Sequence, residues 1–102
     1  MATLEELNIL IDKAAAVAGN QVRLAELLGM PKSNITQMKQ GKRHMNWRVR
    51  GKLRAVLGED PAHAFTSAML EDLEGSENED EKKAAEGLKA MLAAFPNNWR
   101  RL

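Results

Sequence analysis

The stretch QVRLAELLGMPKSNITQMKQ, residues 21–40, decides the fold of this chain. Leu24 and Leu28 lie one helical turn apart with Ala25 beside them, which predicts a buried stripe on a first short helix. Gly29 follows directly, at the place where a residue with positive φ commonly ends a helix. The first half of the stretch therefore predicts a helix that stops at Gly29.

A second short helix is predicted after this turn. Pro31 disfavours the α region for the residue before it, and its own fixed φ suits the start of a helix. Ile35 and Met38 are three residues apart and are expected to point back at the first helix, and Gly41 ends the second one. The opposite side of this helix carries a row of polar side chains: Lys32, Ser33, Thr36, Gln37 and Gln40.

This pair of helices resembles the helix-turn-helix motif of the phage repressor and Cro family, also called the XRE type. The stretch KLRAVLGEDP at 52–61 is similar to the fourth helix of that family and the turn that follows it. Pro31 departs from the family, which usually has Ser or Thr there as a helix cap. The resemblance covers residues 4–74 and implies an all-α, lambda-repressor-like domain of five helices, here followed by an additional C-terminal helix.

The same resemblance implies how the chain would meet double-stranded DNA. In that family the second helix lies in the major groove, and the protein commonly binds as a twofold dimer over two half-sites. The residues implied as base contacts are Lys32, Ser33, Thr36 and Gln37. Gln21 resembles the phosphate-binding glutamine of the family, and Asn34 is predicted as a further phosphate contact. Phosphate contacts are also predicted for four residues because of their place at the end of the second helix and directly after it: Lys39, Lys42, Arg43 and His44.

Helices are also predicted on both sides of the motif. Thr3 and Glu6 have the spacing of a capping box, which starts a helix before the motif that runs to Gly19. Asn20 can cap the first helix of the motif. A fifth helix is predicted to start at Asp60 and Pro61, with three apolar residues at helical period: Phe65, Met69 and Leu73.

The fourth helix is predicted over residues 47–57. Gly51 is unusual inside a helix and costs about 1 kcal/mol relative to alanine unless something packs closely over it. The residues expected to point inward are Val49, Leu53, Val56 and Leu57, and those expected to point outward are Arg50 and Arg54.

Residues 75–83, GSENEDEKK, are interpreted as an acidic linker between a domain at 1–74 and a C-terminal helix and tail at 84–102. Asn78 with Glu81 can cap that helix. Its apolar stripe either packs back on the core or pairs with the same helix of another subunit, and pairing is preferred because a five-helix core is complete without it. The stripe is Ala84, Leu88, Met91, Leu92 and Phe95, ended by Pro96 and followed by a tail with Trp99, Arg100 and Arg101.

Charge is segregated along the chain. Residues 19–58, the basic block, contain nine basic side chains and one acidic one, a net charge of +8. Residues 59–86, the acidic block, contain ten acidic side chains and two lysines, a net charge of −8. Because the basic block coincides with the motif, it suits binding to phosphates, and the acidic block is expected to face away.

Composition and spacing exclude several classes. The chain has no cysteine for disulfides or thiol chemistry, and neither a secretion signal nor an apolar run of membrane-spanning length, so a cytoplasmic protein is expected. His44 and His63 lack metal-ligand spacing, and no metal or cofactor is expected. The sequence shows no nucleophile beside a base, no glycine-rich phosphate loop and no pair of carboxylates in an apolar setting, so no enzyme is expected.

The leading hypothesis is therefore a sequence-specific DNA-binding regulator of transcription, with repression implied by the resemblance alone. The alternative is an antitoxin-like or other protein-interaction module whose C-terminal region binds a partner protein. A third hypothesis, a membrane-surface or calmodulin-target helix at 42–54, conflicts with the need for its apolar residues in the core.

Overall fold

Residues 3–94 are described by the structure, a computed structural model, and within them the chain forms six helices and no strand. The helices are α1 (Leu4–Ala18), α2 (Gln21–Leu28), α3 (Lys32–Lys39), α4 (Trp47–Val56), α5 (Pro61–Glu74) and α6 (Glu79–Ala93). The predicted all-α fold with an added C-terminal helix is confirmed. None of the helices in this part of the chain combines the length and apolar character needed to cross a bilayer. The predictions for Phe95, Pro96, Trp99, Arg100 and Arg101 lie outside the described residues.

Local side-chain caps define where most of these helices begin. In each case an oxygen of the residue before the helix accepts a hydrogen bond from the backbone N–H three residues later. The pairs are Thr3–Glu6, Asn20–Arg23, Asn46–Val49, Asp60–His63 and Asn78–Glu81. The start of α3 differs, because Pro31 precedes it and provides no side-chain cap.

A single apolar cluster joins α1, α2, α3 and α4. α1 packs against the other three, while α5 packs on α4 and α6 packs on α5. The buried stripes predicted for α2 and α3 are confirmed. The largest fully buried side chains are Ile11, Leu24, Leu28, Ile35, Met38 and Leu53.

Two predicted orientations in the fourth helix are wrong. Leu57 was expected to point inward, but it follows the last residue of α4 as its C-cap and is 37% exposed. Arg50 was expected to point outward, but it is buried. Since Arg50 lies one turn before the fully buried Leu53, it is on the packed side of the helix, and hydrogen bonds to α5 compensate its charge.

The packed face of α5 also differs from the predicted one. Met69 is exposed, whereas Ala64 and Ala68 are fully buried. Phe65 and Leu73 are half-buried. The small alanines line the closest contacts because α5 lies between α4 and α6 and must approach both helices.

The C-terminal helix begins earlier than predicted. Only residues 75–78 separate α5 from α6, so the rest of the stretch 75–83 belongs to the first turn and a half of the helix. Ala85 is buried against α5 in place of Ala84, which is exposed, and Met91 is 61% exposed. Leu88 and Leu92 are half-buried. The helix therefore packs back within this chain, on α5, but Ala84 and Met91 of the predicted stripe remain exposed. Pairing with a second subunit stays a prediction.

Candidate nucleic-acid interface

The buried side of α3 fixes which of its side chains face outward. Ile35 and Met38 lie in the apolar cluster, and α1 and α2 both pack against the helix. The four residues predicted to contact bases lie at the surface, the first three exposed and the last half-buried: Lys32, Ser33, Thr36 and Gln37. The structure thus brings these residues to one side of α3.

Backbone and side-chain hydrogen bonds fix the turn between α2 and α3. Gly29 adopts the left-handed conformation with φ of 70°, as its position predicted. The N–H of Met30 donates to the carbonyl of Ala25 at 3.0 Å, which closes the turn. Lys52 of α4 donates its Nζ to the carbonyl of Leu28 at 3.1 Å, so a cation stabilises the C-terminal end of α2.

The C-terminal end of α3 is held by two residues of α1. The side-chain amide nitrogen of Asn8 donates to the backbone carbonyl of Lys39 at 3.0 Å. One turn further along α1, a carboxylate oxygen of Asp12 lies 2.7 Å from the Nζ of Lys39. The ammonium group of Lys39, a predicted phosphate contact, is therefore already engaged with a carboxylate.

Two residues that were assigned separate roles form one hydrogen-bonded unit. The Nε of Arg43 donates to the side-chain oxygen of Gln37 at 3.0 Å. An amide oxygen has two lone pairs, so Gln37 keeps one of them and its NH₂ group for the edge of an adenine. A base contact by Gln37 and a phosphate contact by Arg43 would thus be coupled.

The loop after α3 presents three of the predicted phosphate contacts. Gly41 turns the chain with φ of 76°, and the N–H of Lys42 donates to the carbonyl of Gln37 at 2.9 Å. The next residue to be buried is Met45. Between these anchored points the loop exposes its charged and polar side chains: Lys42, Arg43 and His44.

Gln21 and Asn34 complete the predicted set of phosphate contacts. Gln21 is the first residue of α2, directly after the capping residue Asn20. Asn34 lies in the first turn of α3, and its backbone N–H donates to the carbonyl of Pro31 at 3.0 Å. Both side chains are half-buried, so they are less accessible than those of the loop.

Ion pairs alter the predicted separation of charge. Arg50 pairs with Asp72, and Arg54 pairs with Glu59 and Glu71, so the expectation that the acidic block faces away is wrong for these three carboxylates. The pairs with Asp72 and Glu71 follow from the packing of α5 on α4, which the net charges of the two blocks cannot reveal. Glu59 lies only five residues after Arg54. Within residues 3–94, five cations of the basic block form no ion pair: Lys32, Lys42, Arg43, Arg48 and Lys52.

Aromatic packing supports the end of this loop. The rings of Trp47 and Phe65 meet edge to face, with centroids 6.2 Å apart and planes at 84°. The guanidinium carbon of Arg48 lies 5.1 Å from the centre of the Trp47 ring. The start of α4 is thereby attached to α5, and Arg48 keeps its charge at the surface.

A cavity of about 250 Å³ lies between the loop, α1, α4 and the C-terminal end of α5. It is lined by Leu7, His44, Met45, Arg50, Glu71, Asp72 and Gly75. In the described part of the chain, no three His, Cys, Asp or Glu side chains are placed to hold a metal ion together.

Sequence reasoning missed the residues that hold the interface from behind. Asn8 and Arg50 each lie one turn from a fully buried residue, Ile11 and Leu53, which is the signal that could have marked them as inward-facing polar groups. Lys52 carries no such signal, because its contact with α2 depends on how α4 crosses that helix.

No protein-family model, curated protein or solved structure matches this chain. The resemblance of residues 4–74 to phage repressors therefore rests on the residues of the motif at 21–40 and of the stretch 52–61 alone.

Proposed function

We propose that this chain is a sequence-specific double-stranded DNA-binding regulator of transcription, a repressor of the type found in phages and prophages, that reads the major groove with α3. One observation supports it most: an eight-residue helix is held on its apolar side and shows solvent Lys32, Ser33, Thr36 and Gln37. Side chains of this kind can pair with base edges, lysine with guanine and glutamine with adenine. The direction of regulation follows from the resemblance only.

Positive charge around α3 supports the part of the proposed DNA affinity that does not depend on base sequence. Lys32 lies at the start of the helix, Lys42 and Arg43 lie just after it, and none of the three is paired with a carboxylate within the described residues. Cations of this kind displace counterions from phosphates, which makes binding depend strongly on salt. These three cations lie within twelve residues of sequence, 32–43, that include α3 and the start of its loop.

The proposal includes a homodimer. A helix of eight residues rises about 12 Å, which spans only a few base pairs. One such helix distinguishes few sequences, whereas a twofold pair reads two half-sites about 34 Å apart. A palindromic target would report that symmetry directly.

The alternative, an antitoxin-like module that binds a partner protein through its C-terminal region, has less support. It requires an acidic linker that leaves the C-terminal region free for a partner, but only residues 75–78 separate α5 from α6, and α6 packs on α5.

Selection of bound duplexes from a random library tests the proposed function. The full chain should enrich one palindromic sequence and bind it at least about a hundredfold more tightly than random DNA in anisotropy titrations at fixed salt. A control selection uses Gln37→Ala, which should enrich a sequence that is relaxed at one base pair in each half-site. No enrichment, together with equal affinity for random and enriched pools, would contradict the proposal.

A further inference from the structure

Arg50 is the most buried charged side chain among the described residues, with 8% of its side chain exposed. Its Nη1 donates to the backbone carbonyl of Met45, at the end of the loop that follows α3. Its Nη2 donates to the carbonyl of Ala68 at 3.0 Å and to a carboxylate oxygen of Asp72 at 2.5 Å. One guanidinium therefore connects α4, α5 and the loop.

A contribution to stability is a weak reason for an arginine at this place. Removing two charges from water carries a large desolvation penalty, and apolar residues of similar volume often replace a buried ion pair without loss. The planar guanidinium can, however, hold several acceptors in a fixed geometry, which neither an apolar side chain nor a lysine can do. The geometry that Arg50 imposes on its acceptors is thus the property to explain.

The acceptor with a link to the candidate interface is Met45. At the other end of the loop, the N–H of Lys42 is fixed by the carbonyl of Gln37 at 2.9 Å. Only Arg43 and His44 lie between these two anchored residues, so the position of the Met45 carbonyl restricts the path of both.

Packing gives this part of the loop little support on the side facing α5. The cavity of about 250 Å³ lies there, with His44 and Met45 on one wall and Glu71, Asp72 and Gly75 on another. The hydrogen bond from Arg50 crosses from α4 to the loop at the edge of this space. The Met45 side chain is buried in the apolar cluster, and this polar contact fixes the backbone carbonyl of the same residue.

We infer that Arg50 is a positioning residue: its guanidinium, fixed by Asp72 and Ala68 of α5, holds the Met45 carbonyl and so sets the direction in which Lys42, Arg43 and His44 project. Arg50 does not touch DNA itself. The consequence for phosphate contacts rests on the proposed function, whereas the restraint on the loop does not.

Limited trypsin digestion tests the restraint without DNA. Arg50→Met keeps the length of the side chain and removes its donors. The matched control is Arg54→Met, which removes an arginine of the same helix that also pairs with α5, through Glu71, but does not contact the loop. At a temperature where circular dichroism shows both variants folded, cleavage after Lys42 and Arg43, followed by mass spectrometry, should be about tenfold faster in Arg50→Met than in the control.

Affinity for a random duplex tests the consequence. Each variant loses one positive charge, so bulk electrostatics change equally. Arg50→Met should bind about three- to tenfold more weakly than Arg54→Met at the same salt, because the loop contacts are no longer in register with the phosphates. If Arg50→Met does not fold, Arg50→Lys provides the same comparison, since its single nitrogen can reach Asp72 but cannot also hold both carbonyls.

Equal cleavage of the two folded variants overturns the inference. Faster cleavage of Arg50→Met together with equal affinities overturns it as well, because the restraint then does not position DNA contacts. If the unmodified protein binds no duplex while trypsin separates the variants, the proposed function fails and the restraint on the loop stands.

Discussion

Position 51 shows how a single residue sets the distance between two helices. Glycine lies in the middle of α4, where it is expected to lower helix stability by about 1 kcal/mol relative to alanine. The ring of Phe65 fills the space of the missing side chain: a Cβ on residue 51 would overlap Cδ1 of the ring and lie 2.9 Å from Cε1. The condition stated for Gly51, that something packs closely over it, is met by Phe65.

Substitution of Gly51 by alanine should therefore destabilise the protein, in spite of the better helix propensity of alanine. We expect a loss of about 1–3 kcal/mol in the free energy of unfolding, because the Phe65 ring must move away from α4. Gly87 of α6 is the control, since a Cβ there meets nothing within 4 Å. Gly87→Ala should stabilise by about 0.5–1 kcal/mol. Urea titrations followed by circular dichroism measure both, and equal effects of the two substitutions would show that the Phe65 contact is not tight.

Gln37 should affect base preference more than general affinity. Its remaining lone pair and NH₂ group suit one base edge, so Gln37→Ala should weaken binding to the selected duplex by about 1–3 kcal/mol. Binding to random DNA should weaken less, because only the hydrogen bond that positions Arg43 is lost there. Anisotropy titrations against both duplexes at one salt concentration give the two numbers. An equal loss on both duplexes would rule out a role in base reading.

Lys42 and Arg43 should differ from Gln37 and from each other. Lys42→Ala should weaken all duplexes alike and lower the slope of log K against log salt by about 1, because one phosphate contact is lost. Arg43→Ala should do the same and also reduce base discrimination, since Arg43 donates to Gln37. Lys83→Ala, which removes an exposed cation from α6, is the charge control. Identical salt slopes for Lys42→Ala and Lys83→Ala would show that Lys42 of the loop does not contact a phosphate.

The elements differ in how far their sequence predicts them. The beginnings of α1, α2 and α5 were predictable because each cap is a contact between residues three apart, as in Asn20 and Arg23. The same spacing marked Asn78 and Glu81, but the acidic residues 79–83 were assigned to a linker. The outward row on α3 was predictable for a similar local reason, since Ile35 and Met38 fix the opposite side. By contrast, the burial of Arg50 depends on Asp72, 22 residues away, and on the angle at which α5 crosses α4. The spacing of Arg50 and Leu53 marks the inward side of α4, but no local pattern identifies Asp72 as the partner of Arg50.

The C-terminal end of α3 gives a prediction for the element as a whole. Asn8→Ala removes the donor to the Lys39 carbonyl and should cost about 1 kcal/mol in unfolding free energy. It should also speed hydrogen exchange of the Gln40 N–H, which donates to Thr36 in the last turn. Asp12→Ala removes only a carboxylate that is 59% exposed, so its effect on stability should stay below about 1 kcal/mol. If hydrogen exchange at Gln40 is accelerated equally in Asn8→Ala and Asp12→Ala, the hydrogen bond from Asn8 does not stabilise the end of α3 more than the ion pair does.

For the molecule as a whole, the two blocks of charge are less separate in space than along the chain. Three carboxylates of the acidic block neutralise Arg50 and Arg54 on α4, and the unpaired cations that remain in the basic block include Lys32, Lys42 and Arg43. Of the five cations of the basic block that form no ion pair within the described residues, three lie on α3 and its loop, and the other two, Arg48 and Lys52, lie on α4. This distribution could not be read from the net charges of +8 and −8, because these ignore which helices pack together.

The C-terminal region is expected to matter for assembly and not for the attraction to phosphates. Residues 75–102 contain five acidic and five basic side chains, so their removal leaves the net charge unchanged. The apolar cluster lies wholly between residues 7 and 56, and α6 packs on α5. A chain of residues 1–74 should therefore keep its helices, lose some thermal stability where α5 is uncovered, and bind random DNA within about twofold of the full chain.

The same truncation should weaken binding to a palindromic target by about tenfold or more, because two half-sites would then be bound independently instead of by a linked pair. Circular dichroism establishes that residues 1–74 are folded. Sedimentation of the full and the truncated chain, each with and without DNA, measures their self-association directly. A full chain that sediments as a monomer on and off DNA, with the palindrome bound equally by both lengths, would remove the homodimer from the proposal. A tenfold loss on random DNA would instead place phosphate contacts in residues 75–102, contrary to the balance of charge there.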